Sequence, residues 1–291
     1  MSNPIFSRVE KDARSGYAGF GGRGRSVPQP APAQQSYGQL GAPTYPQPTY
    51  PQAQPAPAQR GVTLDDVMVR TGVLFAIMLV VAAGAWALAP TFGLLIWGAG
   101  LVGTLAIGFA IAFMRGVNVP LIIAYAVFEG LFVGAISRSY ATVFDGYATA
   151  DPVPLHQSIV VQAVLGTLCV FAAMLMLYKT GLVKVTAKFR SVVSMMLVGY
   201  LLFALVNLVF ALVTNTPFGI GGTGIIGIGI SVFAIGLAAV TLMLDFDDIE
   251  TAIATGAPVK YSWLLGMGLL VTLVWLYLEI LRLLGRLRSS D

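Results

Sequence analysis

Blocks of about 20 consecutive apolar residues constrain this chain more than any other feature. That is the length an α-helix needs to cross the ~30 Å hydrocarbon core of a bilayer. Hydrophobic residues make up 57% of the sequence and charged residues only 10%, which is outside the range of soluble domains. A closed barrel would need short alternating segments, and these blocks are apolar on every face. The sequence therefore predicts an all-α integral membrane protein.

Seven such blocks follow one another, and we expect them to form a seven-transmembrane helix bundle over residues 62–288. The first begins just after Thr63 and Asp66, whose spacing is that of a capping box. The blocks cover approximately residues 70–88, 92–114, 119–141, 157–178, 191–213, 222–244 and 261–284.

Residues 1–61 differ from the rest of the chain in composition. They contain most of the 16 prolines, together with Gln, Ala, Ser and Tyr, and lack the aliphatic residues that would offset chain entropy. The pattern predicts a disordered Pro/Gln/Ala-rich tail with local polyproline II character. Such a tail either binds a protein partner or is simply solvated.

Basic residues predict the orientation. The tail, Arg115 and the segment 179–190 are basic and fall on one side of seven spans, so the N-terminus is expected to be cytoplasmic in the plasma (inner) membrane. The C-terminus would then be outside, although it carries Arg282, Arg286 and Arg288. The alternative is one re-entrant block with both ends cytoplasmic.

Two carboxylic acids at the edges of the last apolar blocks are the main candidates for function. Asp245 closes the sixth block, and Glu279 lies within the seventh. An ionised carboxylate in a bilayer is costly unless it is paired or wetted, so such residues indicate an ion or proton pathway. Glu279 also has Arg282 three residues away, which favours the alternative of an interfacial ion pair.

Four further charged residues complete the candidates. Glu129 lies in the third block and needs a partner on another helix or in water, or it stays protonated. Arg138 is about 13.5 Å further along the same helix, close enough to the interface to snorkel. Asp247 and Asp248 follow Asp245, where they form either part of an ion site or a solvated helix end.

Several segments, in this order along seven spans, resemble the Bax inhibitor-1/YccA family, most of all its actinobacterial branch. They are Glu-Gly-Leu-Phe-Val-Gly-Ala-Ile-Ser at 129–137, Asp-Phe-Asp-Asp-Ile at 245–249, and Leu-Tyr-Leu-Glu with the following Leu-Arg-Leu-Leu-Gly at 276–285. The resemblance covers residues 62–288.

The resemblance implies a pH-sensitive calcium leak channel gated by paired acids from the last two helices and a basic latch. Asp245 matches the first acid, Arg115 matches the latch, and Arg138 is the second candidate for the latch. The Leu-Tyr-Leu-acid pattern selects Glu279 as the second acid and as a Ca²⁺ ligand with Asp245, although the family has Asp there. Aligning the Leu-Arg-Leu-Leu-Gly end instead places the family acid near Thr272.

The expected mechanism is electrostatic. Two close carboxylates share a proton and titrate as a coupled unit near neutral pH. In the ionised form they attract Ca²⁺, a hard cation that prefers oxygen ligands. Arg115 would compensate their charge in the closed state. The implied partners are therefore the lipid bilayer, protons and Ca²⁺ as permeant or regulatory ion, with no other cofactor and no nucleic acid.

Two other classes of function remain open. A secondary transporter of a small solute also uses buried acids and glycine-rich helices, and it predicts saturable flux. A non-conducting scaffold would use the tail for partners and the acids for helix pairing. We do not expect an enzyme, since the single His156 lies in a loop and no nucleophile or metal-ligand motif is present.

Overall fold

The computed structural model describes residues 60–146, 153–181, 184–216 and 218–290, so the predicted tail lies almost entirely outside the described residues. Six long helices account for the described chain, and each is long and apolar enough to cross a membrane. They are α1 (Leu64–Phe113), α2 (Val119–Phe144), α3 (Ile159–Lys179), α4 (Ala187–Thr214), α5 (Ile225–Ala254) and α6 (Tyr261–Ser290). The all-α membrane class is confirmed.

The first helix begins where its capping residues predict. The Thr63 side chain accepts a hydrogen bond from the Asp66 N–H, and the Asp66 carboxylate accepts from the Thr63 N–H at 3.1 Å. This reciprocal arrangement satisfies two of the amides that a helix start leaves unpaired. The Val62 N–H also donates to the Ala257 carbonyl at 2.7 Å. The start of α1 is therefore fixed beside the connection between α5 and α6.

The predicted first and second spans are the two helical segments of α1, which are separated by a kink, so six elements contain the seven predicted blocks. α1 has 50 residues, which would be about 75 Å if straight, more than twice the thickness of the hydrocarbon core. It contains Pro90, and Phe92 leaves the helical region with φ −122° and ψ 19°. The ring of Pro90 disrupts the helical hydrogen bonds locally, so α1 consists of two helical segments on either side of this kink.

Contacts with α2 show that the chain reverses at this break. Before it, Met78 lies against Gly130 and Ala82 against Gly134, so residue numbers rise together in the two helices. After it, the order is opposite. The pairs there are Gly100 with Phe132, Gly103 with Phe128 and Gly108 with Tyr125. The two segments of α1 therefore run antiparallel on either side of α2.

The last helix lies at the centre of the bundle. In α6, 72% of the most apolar stretch is buried, whereas none of the corresponding stretch of α4 is. Leu265, Leu270, Leu276 and Leu281 are at most 1% exposed. In contrast, outward residues such as Val213 are exposed, which is the arrangement expected when lipid surrounds the bundle. A polar side chain on the inner surface of α6 is thereby isolated from water.

Contacts between helix ends define two ends of the molecule. We call the end where α1 starts the near end; there Arg190 at the start of α4 pairs with acids at the end of α5. At the opposite, far end, Arg288 near the end of α6 pairs with Asp145 just after α2. The far end also contains the glycine-rich turn before α5. The first and last helices of the described residues thus begin and end, respectively, at opposite ends of the bundle.

Candidate functional site

Asp245 is a buried carboxyl group on α5 that faces the central helix α6. It is 2% exposed, and its Oδ2 has no hydrogen-bond partner. The Thr272 hydroxyl on α6 faces it as a hydrogen-bonding neighbour, and Asp248, one turn further along α5, adds a negative charge nearby. A buried carboxyl oxygen without a partner is uncommon, because it loses its hydration without compensation. Asp245 is therefore the least satisfied acid of this region.

Glu279 occupies a different site, so the expected pairing of Asp245 with Glu279 is wrong. Its Oε1 accepts hydrogen bonds from the Tyr200 hydroxyl at 2.5 Å, the Arg282 guanidinium at 2.7 Å and the Trp275 indole at 3.3 Å. Thr272, the neighbour of Asp245, is seven residues earlier on α6, which is about 10.5 Å along the helix. Glu279 is thus a satisfied structural ion pair, as the alternative interpretation expected.

The described contacts do not join the two acids that were predicted as Ca²⁺ ligands. Asp245 and Glu279 have different neighbours, and the described residues contain no group of three or more His, Cys, Asp or Glu side chains that could hold a metal ion. Of the two alignments for the second acid, the geometry agrees with the one that ends on Thr272. This chain differs from that alignment in the chemistry of the position facing Asp245, because Thr272 has a hydroxyl group where the alignment places an acid.

Asp247 and Asp248 are joined by Arg190, which the sequence reasoning did not select. One guanidinium nitrogen of Arg190 donates to Asp248 and the other to Asp247. We call this arrangement the Arg190 clamp. It connects the start of α4 to the end of α5, and the Asp248 side chain in it is only 8% exposed. Arg190 lies in a basic segment of the sequence, but sequence spacing cannot show which of several cations meets the acids.

A second contact closes the same end of α5. The Tyr178 hydroxyl at the end of α3 donates to the Glu250 carboxylate. The end of α5 is therefore held from two sides, by α4 through the Arg190 clamp and by α3 through Tyr178. The acidic run at 245–250 is part of the helix and of its contacts, and is more than a solvated terminus.

The two arginines proposed as latches lie elsewhere. Arg115 is exposed in the connection between α1 and α2 and forms no ion pair with any described residue. Arg138 lies on α2 with its guanidinium 5.4 Å from the centre of the Trp86 ring, a cation–π geometry. In the described residues it is Arg190 that contacts the acids next to Asp245.

Glu129 is the other incompletely paired acid in the bundle. It is 4% exposed, and its Oε2 has no hydrogen-bond partner. The expected partner on another helix is replaced by Tyr125, one turn earlier on α2 itself. Gly130 follows directly, and a Cβ atom there would lie 2.6 Å from the Met78 carbonyl oxygen. Glu129 is therefore enclosed where α1 and α2 pack most closely.

The C-terminal arginines contact protein groups at the far end. Arg282 pairs with Glu279, and Arg286 donates to the Phe218 carbonyl at 3.2 Å. Arg288 pairs at 2.9 Å with Asp145, which is fully buried and also accepts from the Ile159 N–H at the start of α3. These contacts explain why the end of the chain is basic without requiring that it lie in a free cytoplasmic segment.

Comparisons with known proteins agree with this architecture. No curated protein and no solved structure matches the chain. A family model described as Bax inhibitor 1 like matches residues 3–289, almost the whole sequence. The chain thus belongs to the Bax inhibitor 1 like family of membrane proteins.

Proposed function

We propose that this protein is a pH-sensitive calcium leak channel in which Asp245 is the titrating group. The observation that carries the proposal is the buried Asp245 carboxyl group with an unpartnered oxygen on the inner surface of the bundle. Buried acids in membrane proteins cost free energy and are typical of ion and proton pathways. Membership of the Bax inhibitor 1 like family supports a membrane role of this type.

The proposed sensor has one carboxyl group instead of two. Thr272 faces Asp245, and a hydroxyl group can donate to the ionised carboxylate or accept from the protonated carboxyl group. No second acid is therefore needed to hold the proton. The groups around Asp245 that carry charge are Asp248 on the same helix and, through it, Arg190 on α4.

The closed arrangement favours a neutral Asp245. Its carboxylate form would be a charge inside the bundle, near the negative Asp248 and with no basic side chain bonded to it. Ionisation at higher pH therefore favours an arrangement in which water or a cation reaches Asp245. In that form its oxygens suit Ca²⁺, which prefers oxygen ligands. We accordingly propose that the leak increases as pH rises through the titration of Asp245.

The Arg190 clamp is the proposed latch, in the role that the resemblance assigned to Arg115. It ties α4 to the end of α5 only three residues from Asp245. Within α4 only Val193 and Ser194 are buried, so few other contacts hold this helix against the bundle. Release of the clamp would allow α4 and α5 to separate at the near end.

The proposed topology has seven crossings, with the near end cytoplasmic and the protein in the plasma (inner) membrane. The antiparallel segments of α1 supply two crossings, and α2 to α6 supply five. Basic residues of the described near end, such as Arg115, Lys184 and Lys188, are exposed, as the positive-inside rule expects. The arginines of the far end are engaged with protein groups.

Calcium flux into liposomes that contain the purified protein tests the function. We expect a leak that depends on pH and is not saturable at low Ca²⁺. Saturable, coupled uptake of another solute would instead favour a secondary transporter. A folded protein with no flux, in which substitutions of Asp245 change only stability or assembly, would favour a scaffold.

A further inference from the structure

A groove of about 880 Å³ opens at the near end, between the start of α1, the end of α3 and the end of α5. Its floor is apolar and includes Val67, Phe171, Leu175, Phe246 and Leu269. None of these residues takes part in the Asp245 site. The groove is therefore a second feature of the fold, separate from the proposed sensor.

The groove has a polarity gradient along the bundle axis. Lys179, at the last residue of α3, lies at its rim, while Phe171 on its floor is eight residues earlier, or about 12 Å deeper along the helix. Met68 lines one side and is 64% exposed, so the groove is also open toward the surface that faces lipid. An amphiphilic molecule aligned with the helices would match both ends of this gradient.

The charges at the rim favour an anionic headgroup. Lys179 and Lys184 line the rim, are exposed, and form no ion pair within the described part of the chain. Of the two acids of the lining, Asp247 pairs with Arg190, whereas Glu250 accepts a hydrogen bond from the neutral Tyr178 hydroxyl and keeps its charge. Lys179 and Lys184 are thus the cations of this rim that have no counter-ion among the described residues.

We propose that this groove binds one anionic phospholipid, with its phosphate between Lys179 and Lys184 and an acyl chain along the apolar floor. Basic residues at the ends of membrane-spanning helices attract anionic lipid headgroups. A free phosphate ion would use the rim but leave the floor empty, so the apolar depth assigns the site to a lipid. The proposal does not depend on whether the protein conducts ions.

Lipid binding to the full-length protein in detergent tests the site, with native mass spectrometry as the readout. We expect one saturable phosphatidylglycerol and weaker binding of phosphatidylcholine with the same chains. Each lysine near an anionic headgroup contributes about fivefold in affinity, so Lys179→Gln with Lys184→Gln should weaken phosphatidylglycerol binding about 20-fold or more. The control Lys260→Gln, an exposed lysine of the same end that does not line the groove, should bind as the wild type does.

Equal binding of the two lipids, an unaffected double variant, or full competition by inorganic phosphate alone would overturn the proposal. The occupant is identified separately by replacing Phe171 with the photoreactive analogue p-benzoylphenylalanine in vesicles that contain phosphatidylglycerol. A crosslinked product with the mass of the protein plus one phosphatidylglycerol supports the site. A crosslink to residues 1–59 of the chain, or to a second copy, would assign the groove to a protein segment and refute it.

Discussion

Removing the Arg190 clamp should make the channel leakier, because the clamp is proposed to hold the closed arrangement. The test variant is Arg190→Gln, which keeps a polar side chain but is shorter and uncharged, so that both ion pairs are removed. The Asp248 carboxylate, which is 8% exposed, would then lose its ion pair with Arg190, and so would the Asp247 carboxylate, which is 29% exposed. Breaking a fully buried pair costs about 3–5 kcal/mol, and breaking an exposed pair costs about 0–1 kcal/mol.

The clamp lies between these limits, since the Arg190 side chain is 22% exposed. We take about 2–3 kcal/mol for the loss, which corresponds to roughly 30- to 150-fold in an equilibrium constant. If the clamp exists only in the closed arrangement, and if that arrangement is dominant in the wild type, the open population and the leak rise by up to the same factor.

Calcium flux at constant pH in liposomes measures this increase, with the amount of folded protein matched between samples. Lys188→Gln is the control, because Lys188 is an exposed cation two residues away that forms no ion pair with the described residues. A folded Arg190→Gln protein with an unchanged or smaller leak would refute the assignment of the latch.

Three further predictions concern the packing and the other ion pairs. Gly134→Ala should destabilise the protein by about 1–3 kcal/mol, because the added Cβ would lie 2.3 Å from the Ala82 carbonyl oxygen. Gly236→Ala should be neutral or stabilising by up to about 1 kcal/mol, because no atom lies within 4 Å of its added Cβ. Thermal unfolding in detergent compares the two variants. Asp145→Asn should cost about 2–4 kcal/mol by the same measurement, because it leaves Arg288 without its buried counter-ion. Glu279→Gln should lower stability but leave the pH dependence of the leak unchanged, because Glu279 contacts Arg282 and Tyr200 and is remote from Asp245; flux measured at several pH values checks this.

Each of these has a result that would contradict it. Equal stability of the two glycine variants would mean that α1 and α2 do not pack as closely as the structure has them. Asp65→Asn, which alters an exposed carboxylate, serves as the control for Asp145→Asn, and a similar small effect of both would exclude the buried pair. A Glu279→Gln protein that loses its pH response would show that Glu279 takes part in the pH sensor.

Apolar patterning was sufficient to predict the class and the approximate positions of α2 to α6, and the capping-box spacing predicted the start of α1. The apolar pattern did not predict that the two segments of α1 join without a loop, because a proline followed by a polar residue indicates a helix end, whereas helical geometry resumes directly after Phe92. Apolar patterning also predicted that the sixth block ends at Leu244, because the acids that follow are polar. Those acids extend α5 to Ala254 because Arg190 and Tyr178 contact them.

The candidate site was predicted only in part, for a reason of helix geometry. Asp245 is recognisable because it is an acid at the edge of an apolar block. The residue that faces Asp245 is not recognisable from the sequence. Thr272 and Glu279 are separated by two turns and lie on one face of α6, so only the position of α5 along the axis of α6 decides which of them faces Asp245. The Arg190 clamp depends likewise on the packing of α4 against α5, which leaves no periodic signal in the sequence.

The most direct test of the central claim is the pH profile of Ca²⁺ flux across neutral pH for the wild type and Asp245→Asn, reconstituted at equal density. If Asp245 is the titrating group, the leak of the wild type rises with pH and the leak of the variant is flat, because an amide has no proton to lose in this range. A variant that is folded and keeps the pH response of the wild type would show that the sensor lies elsewhere.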